Sequence, residues 1–354
     1  MRIAQVSTLG TPTRREGSDS IESLVWVLTR ELTRLGHKVT VFAAGGSEVD
    51  GELVASLPGT YGKAGAPDDW QLCEWINLCR AVEESARFDV MHSHAYLWGL
   101  PLQTISRAPM IHTLHVSAYD EPARLWSLTP DAHVTAISNY QWSAFPQFAP
   151  RAVIYHGVDP AQFTLRTQPE DYLCFLGRFI PRKGALKAIA VARGMGLPLR
   201  MAGPRNDYFR EHIEPHVDGR SVEYVGYVTG QQRDHFLGGA RALLYPVEEP
   251  EPFGLVQVEA MLCGTPVVGV RIGAVPEIID EGVTGYTVNN PNDWEGQLIR
   301  ALTLDRAGVR VRARARFSSE RMAREYAELY QQVLSTSHVA SSRLKPELHE
   351  RSLR

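Results

Sequence analysis

The sequence has few cysteines, no long apolar run and no excess of charge of one sign. Its 4 cysteines among 354 residues include no C-x-x-C pair, which excludes a thiolate zinc site and is typical of a reduced, cytoplasmic protein. No stretch approaches the roughly 18 consecutive apolar residues of a membrane-spanning helix, and the N-terminus lacks the features of an export signal. With 37 basic and 40 acidic residues the net charge is −3, so nucleic-acid binding by bulk charge is not expected. These absences predict a soluble cytoplasmic protein.

Several nucleotide-binding and catalytic motifs are also missing. No G-x-G-x-x-G follows the first strand candidate, and the glycine-containing segment 59–64 lacks both the spacing and the hydroxyl of a P-loop. There is no G-x-S-x-G motif, and no two aspartates lie two residues apart to hold a metal-bound diphosphate. The sequence therefore does not favour a dehydrogenase, a P-loop NTPase or a serine hydrolase.

Short β-rich runs alternate with helical stretches along the whole chain. A strand candidate at 2–8 precedes apolar residues at helical spacing over 20–35, and a second strand candidate follows at 38–42. The same alternation begins again after residue 172. It predicts an α/β protein built from parallel βαβ units, with doubly wound sheets covered by helices on both faces.

A polar, turn-rich segment near residue 160 divides the chain. We predict an N-terminal Rossmann-like domain at 1–160, a second one at 161–318, a bracing helix at 319–335 and a polar tail at 336–354. Two such domains form a cleft between the carboxyl ends of their sheets, where folds of this kind bind ligands.

The most informative segment is E-P-F-G-L-V-Q-V-E-A-M, which begins at Glu251 and includes Glu259. Its proline favours a helix start, and the Gly-Thr-Pro that follows favours the end of that helix. The first turn would offer free amides for an anion. These amides belong to Phe253, Gly254, Leu255 and Val256. The alternative is that Glu251 only complements the helix dipole and Glu259 is a solvated surface charge.

A second segment, L-G-R-F-I-P-R-K-G at 176–184, follows the first strand candidate of the second half. The guanidinium of Arg178 can grip two phosphate oxygens, and Lys183 adds a mobile point charge. With no metal ligands in view, these cations would neutralise a leaving diphosphate themselves. The alternative is that they are solvated loop cations.

Together these segments resemble the retaining glycosyltransferases of family 4, which have the GT-B fold. The match includes G-R-x-x-P-x-K-G, E-P-F-G-L-V-x-x-E-A-M, C-G-T-P-V-V at 263–268 and P-E-I-I-x-x-G-x-T-G at 276–285, and it extends to F-S-x-E-R-M-A-x-x-Y at 317–326. The resemblance implies metal-independent transfer of a hexosyl unit from a nucleoside diphosphate sugar, such as a UDP-sugar. The acceptor would be a hydroxyl of a glycan, a lipid or a small molecule, with no cofactor.

The resemblance also implies a role for individual residues. Glu251 would face the hydroxyls of the donor sugar, Glu259 would hold the ribose, and Arg178 and Lys183 would contact the diphosphate. His115, at the end of the strand candidate 109–115, would lie beside the donor sugar and the reaction centre. The catalytic candidates are thus His115, Glu251, Arg178 and Lys183, and the amides of the helix start complete the donor site.

The chain departs from the family pattern at two places. Gly17-Ser18, which the resemblance places at the donor, matches the family's Gly-Gly loop only in part, and the serine narrows the freedom of the backbone there. His156 stands where family members usually have asparagine, in a segment that we interpret as the interdomain turn. Asn139 resembles a family position near the cleft, although a helix cap is the simpler interpretation.

Two further clusters have competing interpretations. His92, His94 and His112 suggest zinc, but no acidic or thiolate ligand has matching spacing, and the first two could instead line the acceptor side of the cleft. Five arginines between 306 and 316 favour a solvated helix face over a weak contact with an anionic membrane surface.

Other functions remain open on the same architecture. They are a nucleotide-sugar epimerase, a phosphorylase, and a nucleotide-sugar-binding protein without turnover.

Overall fold

A computed structural model describes residues 1–15, 20–117, 120–143 and 149–343. Each half of the chain forms one sheet, and every strand pairing within the two sheets is parallel. The predicted doubly wound α/β class is therefore confirmed.

The first sheet has seven strands in the order β3-β2-β1-β4-β5-β6-β7. They are β1 (Arg2–Val6), β2 (Lys38–Ala44), β3 (Glu52–Leu57), β4 (Val90–Ser93), β5 (Met110–Thr113), β6 (His133–Ala136) and β7 (Ala152–Val153). The helices of this half are α1 (Ser20–Arg34), α2 (Trp70–Glu83), α3 (Asp120–Ser127) and α4 (Asn139–Ser143). The order reverses between β1 and β4, and ligand sites of such sheets lie at this reversal.

The second sheet has six strands in the order β10-β9-β8-β11-β12-β13, with its reversal between β8 and β11. The strands are β8 (Leu173–Leu176), β9 (Leu199–Ala202), β10 (Val222–Gly226), β11 (Ala242–Tyr245), β12 (Val267–Val270) and β13 (Gly285–Val288). The helices are α5 (Ala185–Met195), α6 (Gly230–Gly239), α7 (Leu255–Leu262), α8 (Val275–Ile278), α9 (Trp294–Ala301), α10 (Arg306–Phe317) and α11 (Ser319–Arg343).

The central strands are buried along their length, because helices cover both faces of each sheet. All four residues of β4, β5, β8 and β11 are buried. Such strands appear in a sequence as short apolar runs without alternation. The edge strand β3 is different: it is only partly buried and its sequence mixes polar and apolar residues, so the apolar pattern did not predict it.

The chain crosses between the two halves twice, and the two crossings are hydrogen-bonded to each other. The amide of Val158 donates to the carbonyl of Phe317 at 2.8 Å, and the amide of Ser319 donates to the carbonyl of Val158 at 3.0 Å. A Cβ on Gly157 would lie 2.8 Å from backbone atoms of Ser318 and Ser319. This close approach requires glycine at the crossing.

Helix α11 packs against the first half of the chain, beside α1 and the first sheet. Its buried apolar face consists of Met322, Ala323, Tyr326, Ala327, Leu329, Tyr330 and Val333. The prediction that the helix ends at residue 335 is wrong, since it continues to Arg343. Ser335 and Thr336 donate their hydroxyls to the carbonyls of residues 331 and 332, so polar residues here continue the helix rather than break it.

The basic run before α11 is only in part a solvated face. Arg306 is buried and donates to the carbonyls of Gly238 and Ala240 and to the hydroxyl of Thr265. Arg310 donates to the carbonyl of Phe163 at 2.7 Å. Arg316 and Arg312 both pair with Asp280. Arg306 and Arg310 thus satisfy carbonyls inside the second half, so the predicted solvated face is wrong for these two residues, whereas Arg312 and Arg314 are exposed as predicted.

Candidate functional site

Two glycines bring the two predicted donor-site segments together at the carboxyl edge of the second sheet. Gly184, just before α5, has φ +69°, and a Cβ there would meet the carbonyl of Pro246. Gly254, just before α7, has φ +94°, and a Cβ there would lie 2.5 Å from the Tyr245 hydroxyl. Both backbone conformations are in the left-handed region that L-residues avoid.

Lys183 and Glu251 form an ion pair at this edge. Lys183 Nζ contacts Glu251 Oε1, and the Tyr245 hydroxyl donates to Glu251 Oε2. The Glu251 side chain is only 8% exposed and that of Lys183 is 20% exposed. Burial and the neighbouring carboxylate raise the pKa of Tyr245 well above its usual value, so this residue stays a hydrogen-bond donor. Sequence reasoning missed Tyr245, which ends an apolar strand and belongs to neither motif.

Arg178 lies on the exposed side of the same segment. Its side chain forms no ion pair with any described residue. Its neighbour Phe179 is fully buried against Phe209 and Phe175, which anchors the loop from below. Phe179 thus fixes the segment to the core, Lys183 is already paired with Glu251, and the side chain of Arg178 remains available to an anion.

Helix α7 begins at Leu255, three positions after the proline that was expected to open it. The Gln257 amide donates to the carbonyl of Gly254 at 3.1 Å, which leaves the amides of Leu255 and Val256 at the open helix end. Phe253 is buried between the two halves of the chain, where it contacts His156 and Tyr155 through its ring. The amides of Leu255 and Val256 are thus the two that the first turn of α7 leaves without a partner inside the helix.

Glu259 lies buried in α7 rather than on a solvated surface. It is 7% exposed, and its Oε1 accepts from Arg233 at 3.0 Å, whereas its Oε2 has no partner among the described residues. It lines a cavity of about 970 Å³ between the two halves of the chain. Other lining residues are Arg15, Trp26, Asp159, Thr164, Tyr227 and Arg233.

His115 follows β5 at the carboxyl edge of the first sheet and belongs to a row of stacked rings. Its ring stacks on His94 and on His156, with centroid distances of 5.1 and 5.2 Å. His156 in turn forms a T-shaped contact with Phe253, with ring centroids 5.0 Å apart. This row joins the first half to the E-P-F-G segment, and His156, which departs from the family pattern, is the ring that contacts Phe253.

Burial makes His115 a neutral group. It lowers the pKa of His115 to about 3, and it also lowers the pKa of His94 and of His156. His115 Nε2 lies 2.9 Å from His94 Nδ1, while its Nδ1 has no partner among the described residues. That nitrogen is the ring atom left for a ligand.

The histidines considered for zinc do not converge. His92 contacts the hydroxyls of Tyr330 and Thr113 at 2.7 Å each, and His94 contacts the side chain of Gln5 at 2.7 Å. His112 alternates with Thr113 along β5 and so faces the other side of the sheet. Within the described ranges, no three His, Cys, Asp or Glu side chains are grouped to hold a metal ion.

Asn139 contacts the second half of the chain instead of capping its own helix. Its amide and its side-chain nitrogen donate to Glu277 Oε2 at 2.8 and 3.0 Å, and the Tyr155 hydroxyl donates to the same oxygen at 3.1 Å. The Tyr140 amide donates to Glu277 Oε1. Glu277 therefore holds the start of α4 from across the cleft.

Gly17 and Ser18, predicted to contact the donor, lie outside the described residues.

Two family sequence models match consecutive parts of the chain. The one for Glycosyltransferase Family 4 matches residues 21–162, and the one for Glycosyl transferases group 1 matches residues 161–318. The chain belongs to glycosyltransferase family 4. It is thus a glycosyltransferase with the GT-B fold, as the motifs suggested.

Relatives of this glycosyltransferase agree with the assignment. A D-inositol 3-phosphate glycosyltransferase of Mycolicibacterium gilvum is 27% identical, over 86% of this chain and 82% of its own. A glycogen synthase of Mycobacterium tuberculosis is 28% identical, over 66% of this chain and 64% of its own.

Solved structures show the same fold. AviGT4, a glycosyltransferase involved in avilamycin A biosynthesis, has a TM-score of 0.71 and 28% identity, covering 94% of this chain and 98% of its own. Anabaena HepE, solved with UDP and glucose, has a TM-score of 0.70 and covers 94% of this chain and 100% of its own; at 19% identity the likeness is one of fold. Among the helices that the structure describes, none is long and apolar enough to cross a membrane.

Proposed function

We propose that this glycosyltransferase transfers a hexosyl unit from a nucleoside diphosphate sugar to an acceptor hydroxyl, with retention of configuration and without a metal ion. The observation that carries the proposal is the ion pair between Lys183 and the buried carboxylate of Glu251, which joins the segment that contains Arg178 to the segment that opens α7. A UDP-sugar is the donor we favour, because Anabaena HepE was solved with UDP-glucose on the same fold.

The charges at this edge suit a diphosphate. Two cationic side chains and two free amides can neutralise a leaving diphosphate by fixed dipoles and charges, which is the usual way to stabilise a developing anion. In the ligand-free chain Lys183 is paired with Glu251, so the incoming diphosphate would take over this cation. Glu251 would then accept hydrogen bonds from hydroxyls of the donor sugar.

No protein group is needed to take the acceptor's proton in this mechanism. The departing diphosphate oxygen lies on the face of the sugar from which it leaves, and it accepts the proton of the acceptor hydroxyl that forms the new bond on that face. The neutral His115 would contribute a hydrogen bond through Nδ1 rather than a charge. Glu259 would accept from the ribose with its unpartnered oxygen.

The test is a comparison of Lys183→Ala with Lys187→Ala, a control that removes the same charge one helical turn further on. Donors are first screened by thermal shift with UDP-glucose, UDP-GlcNAc and GDP-mannose, since a true donor stabilises the fold by mass action. Lys183→Ala should abolish transfer while the control retains it, in buffer containing EDTA. Near wild-type turnover in Lys183→Ala would reject the role of this lysine.

Two further readouts separate the alternatives. The anomeric configuration of the product, measured by NMR, tests retention. An epimerase would release UDP and an altered sugar without any acceptor, and a phosphorylase of the pyridoxal type would carry a visible absorption band.

A further inference from the structure

Five aromatic side chains of the first half of the chain form one surface cluster, which we call the aromatic cluster: Tyr61, Trp70, Trp75, Tyr96 and Trp98. Neighbouring ring centroids lie between 5.3 and 6.5 Å apart. Trp70 is 40% exposed and the other four are half-buried. Large rings that remain accessible together are typical of a surface that binds a ligand.

The aromatic cluster lies at the edge of the sheet where the candidate reaction centre is found. The His94 amide donates to the carbonyl of Val6, at the end of β1, and the Tyr96 amide donates to the carbonyl of His94, both at 2.9 Å. The ring of His94 in turn contacts His115. Tyr96 has φ +51°, a conformation that costs a non-glycine residue energy and that commonly occurs at binding sites.

A buried carboxylate lies within the cluster. Glu74 is one helical turn after Trp70 in α2 and is 0% exposed. Its Oε1 accepts from the Leu9 amide at 2.9 Å and from the Tyr61 hydroxyl, but its Oε2 has no partner among the described residues. A buried oxygen without a partner is costly unless a ligand or water supplies the hydrogen bond.

The charge around this carboxylate is negative. Glu22 lies nearby and accepts from the amide of Gly10 at 3.0 Å. None of the ion pairs formed by the described residues involves Glu22 or Glu74. Burial raises the pKa of Glu74 to about 7. Above that pH Glu74 is ionised, so it would repel an anionic ligand and could accept a hydrogen bond from a hydroxyl group.

We propose that the aromatic cluster and Glu74 bind a pyranose ring of a neutral saccharide acceptor, an inference that rests on the transferase function above. The apolar face of the sugar stacks on Trp70, and one of its hydroxyls donates to Glu74 Oε2. The sugar lies on the acceptor side of His115, opposite the donor segments. A phosphorylated acceptor is disfavoured, because its phosphate would face two carboxylates.

The experiment measures binding of methyl glycosides of glucose, galactose and mannose, and of the matching sugar 6-phosphates, to the full chain saturated with UDP. Saturation-transfer NMR gives each Kd. At least one neutral glycoside should bind, and its 6-phosphate should bind at least about tenfold more weakly. Trp70→Ala should raise the Kd of the glycoside roughly five- to tenfold, the size expected for loss of one aromatic contact.

Two other variants make the test specific. Trp142→Ala removes a tryptophan of the same 40% exposure outside the cluster and should leave the glycoside Kd unchanged. Glu74→Gln keeps the size of the side chain but removes its charge. It should therefore raise the Kd of the neutral glycoside and reduce the ratio between the Kd of the 6-phosphate and that of the glycoside. The UDP Kd of each variant reports whether it is folded.

The outcomes distinguish the two proposals. Failure of the wild-type chain to bind any nucleotide would overturn the proposed function. If UDP binds but no neutral glycoside does, or the 6-phosphate binds more tightly, or Trp70→Ala has no effect, the acceptor inference is wrong and the transferase function stands.

Discussion

Replacing Glu251 with glutamine should make the protein bind free UDP more tightly while it transfers sugar more slowly. In the ligand-free chain Glu251 occupies Lys183, the cation that we assign to the diphosphate. Glutamine keeps the shape and can still accept from the Tyr245 hydroxyl. It removes the charge that competes with the diphosphate for the lysine. Binding and catalysis should therefore change in opposite directions.

The size of the effect follows from the burial of the pair. Fully exposed ion pairs contribute about 0.2–1 kcal/mol, and breaking a buried pair costs about 3–5 kcal/mol. With side chains 8% and 20% exposed, the Glu251–Lys183 pair lies between these limits, but Lys183 is solvated enough to place it near the lower one. About 1 kcal/mol of lost competition corresponds to roughly fivefold tighter UDP binding.

Titration calorimetry with UDP, at a fixed ionic strength near 0.15 M, measures the change. Glu249→Gln is the control, because it removes the same charge from an exposed position two residues away. Transfer from UDP-glucose should fall at least about tenfold in Glu251→Gln, since the sugar hydroxyls lose a charged acceptor. If Glu251→Gln binds UDP no more tightly than Glu249→Gln, Glu251 does not compete with the diphosphate for Lys183.

Three other perturbations test the site and its surroundings. Gly254→Ala should destabilise the fold by about 1–2 kcal/mol through backbone strain, and it should also weaken UDP binding because the added Cβ displaces Tyr245. Gly36→Ala, at φ +84° with no atom near the added Cβ, should show the destabilisation alone. Equal UDP affinity in the two variants would contradict the displacement of Tyr245. Glu277→Ala removes four hydrogen bonds between the two halves, so it should increase the radius of gyration in solution scattering and raise the KM for the donor. An unchanged radius of gyration would show that these hydrogen bonds do not hold the two halves together. Burial raises the folded-state pKa of Glu74 from 4.5 to about 7, so the folded chain binds more protons than the unfolded chain between these pH values. The free energy of unfolding should therefore fall by up to about 3 kcal/mol as the pH rises from 4.5 through 7. Denaturant titrations from pH 4.5 to 8 should show this decline in the wild type and a flatter profile in Glu74→Gln, and parallel profiles would exclude Glu74 as its source.

The chain could be assigned to its fold and family from short-range patterns. Alternating apolar runs specify parallel βαβ units because each strand and helix buries its own residues locally. The segments around Lys183 and Glu251 each lie directly after a strand, so their arrival at the same sheet edge follows from the parallel topology. What these patterns located less well were element ends, such as the start of α7 at Leu255 and the end of α11 at Arg343, where side-chain hydrogen bonds and glycine conformations decide.

Other features depended on contacts between residues far apart in the chain, and only the tertiary structure decided them. The pairing of Arg233 with Glu259, the grip of Glu277 on the start of α4 and the stacking of His156 between His115 and Phe253 join segments that no local pattern relates. The basic run of α10 has the spacing of a solvated face, yet Arg306 and Arg310 turn inward and donate to backbone carbonyls of the second half. A sequence states which groups are present, but burial and long-range pairing determine which of them remain free to meet a ligand.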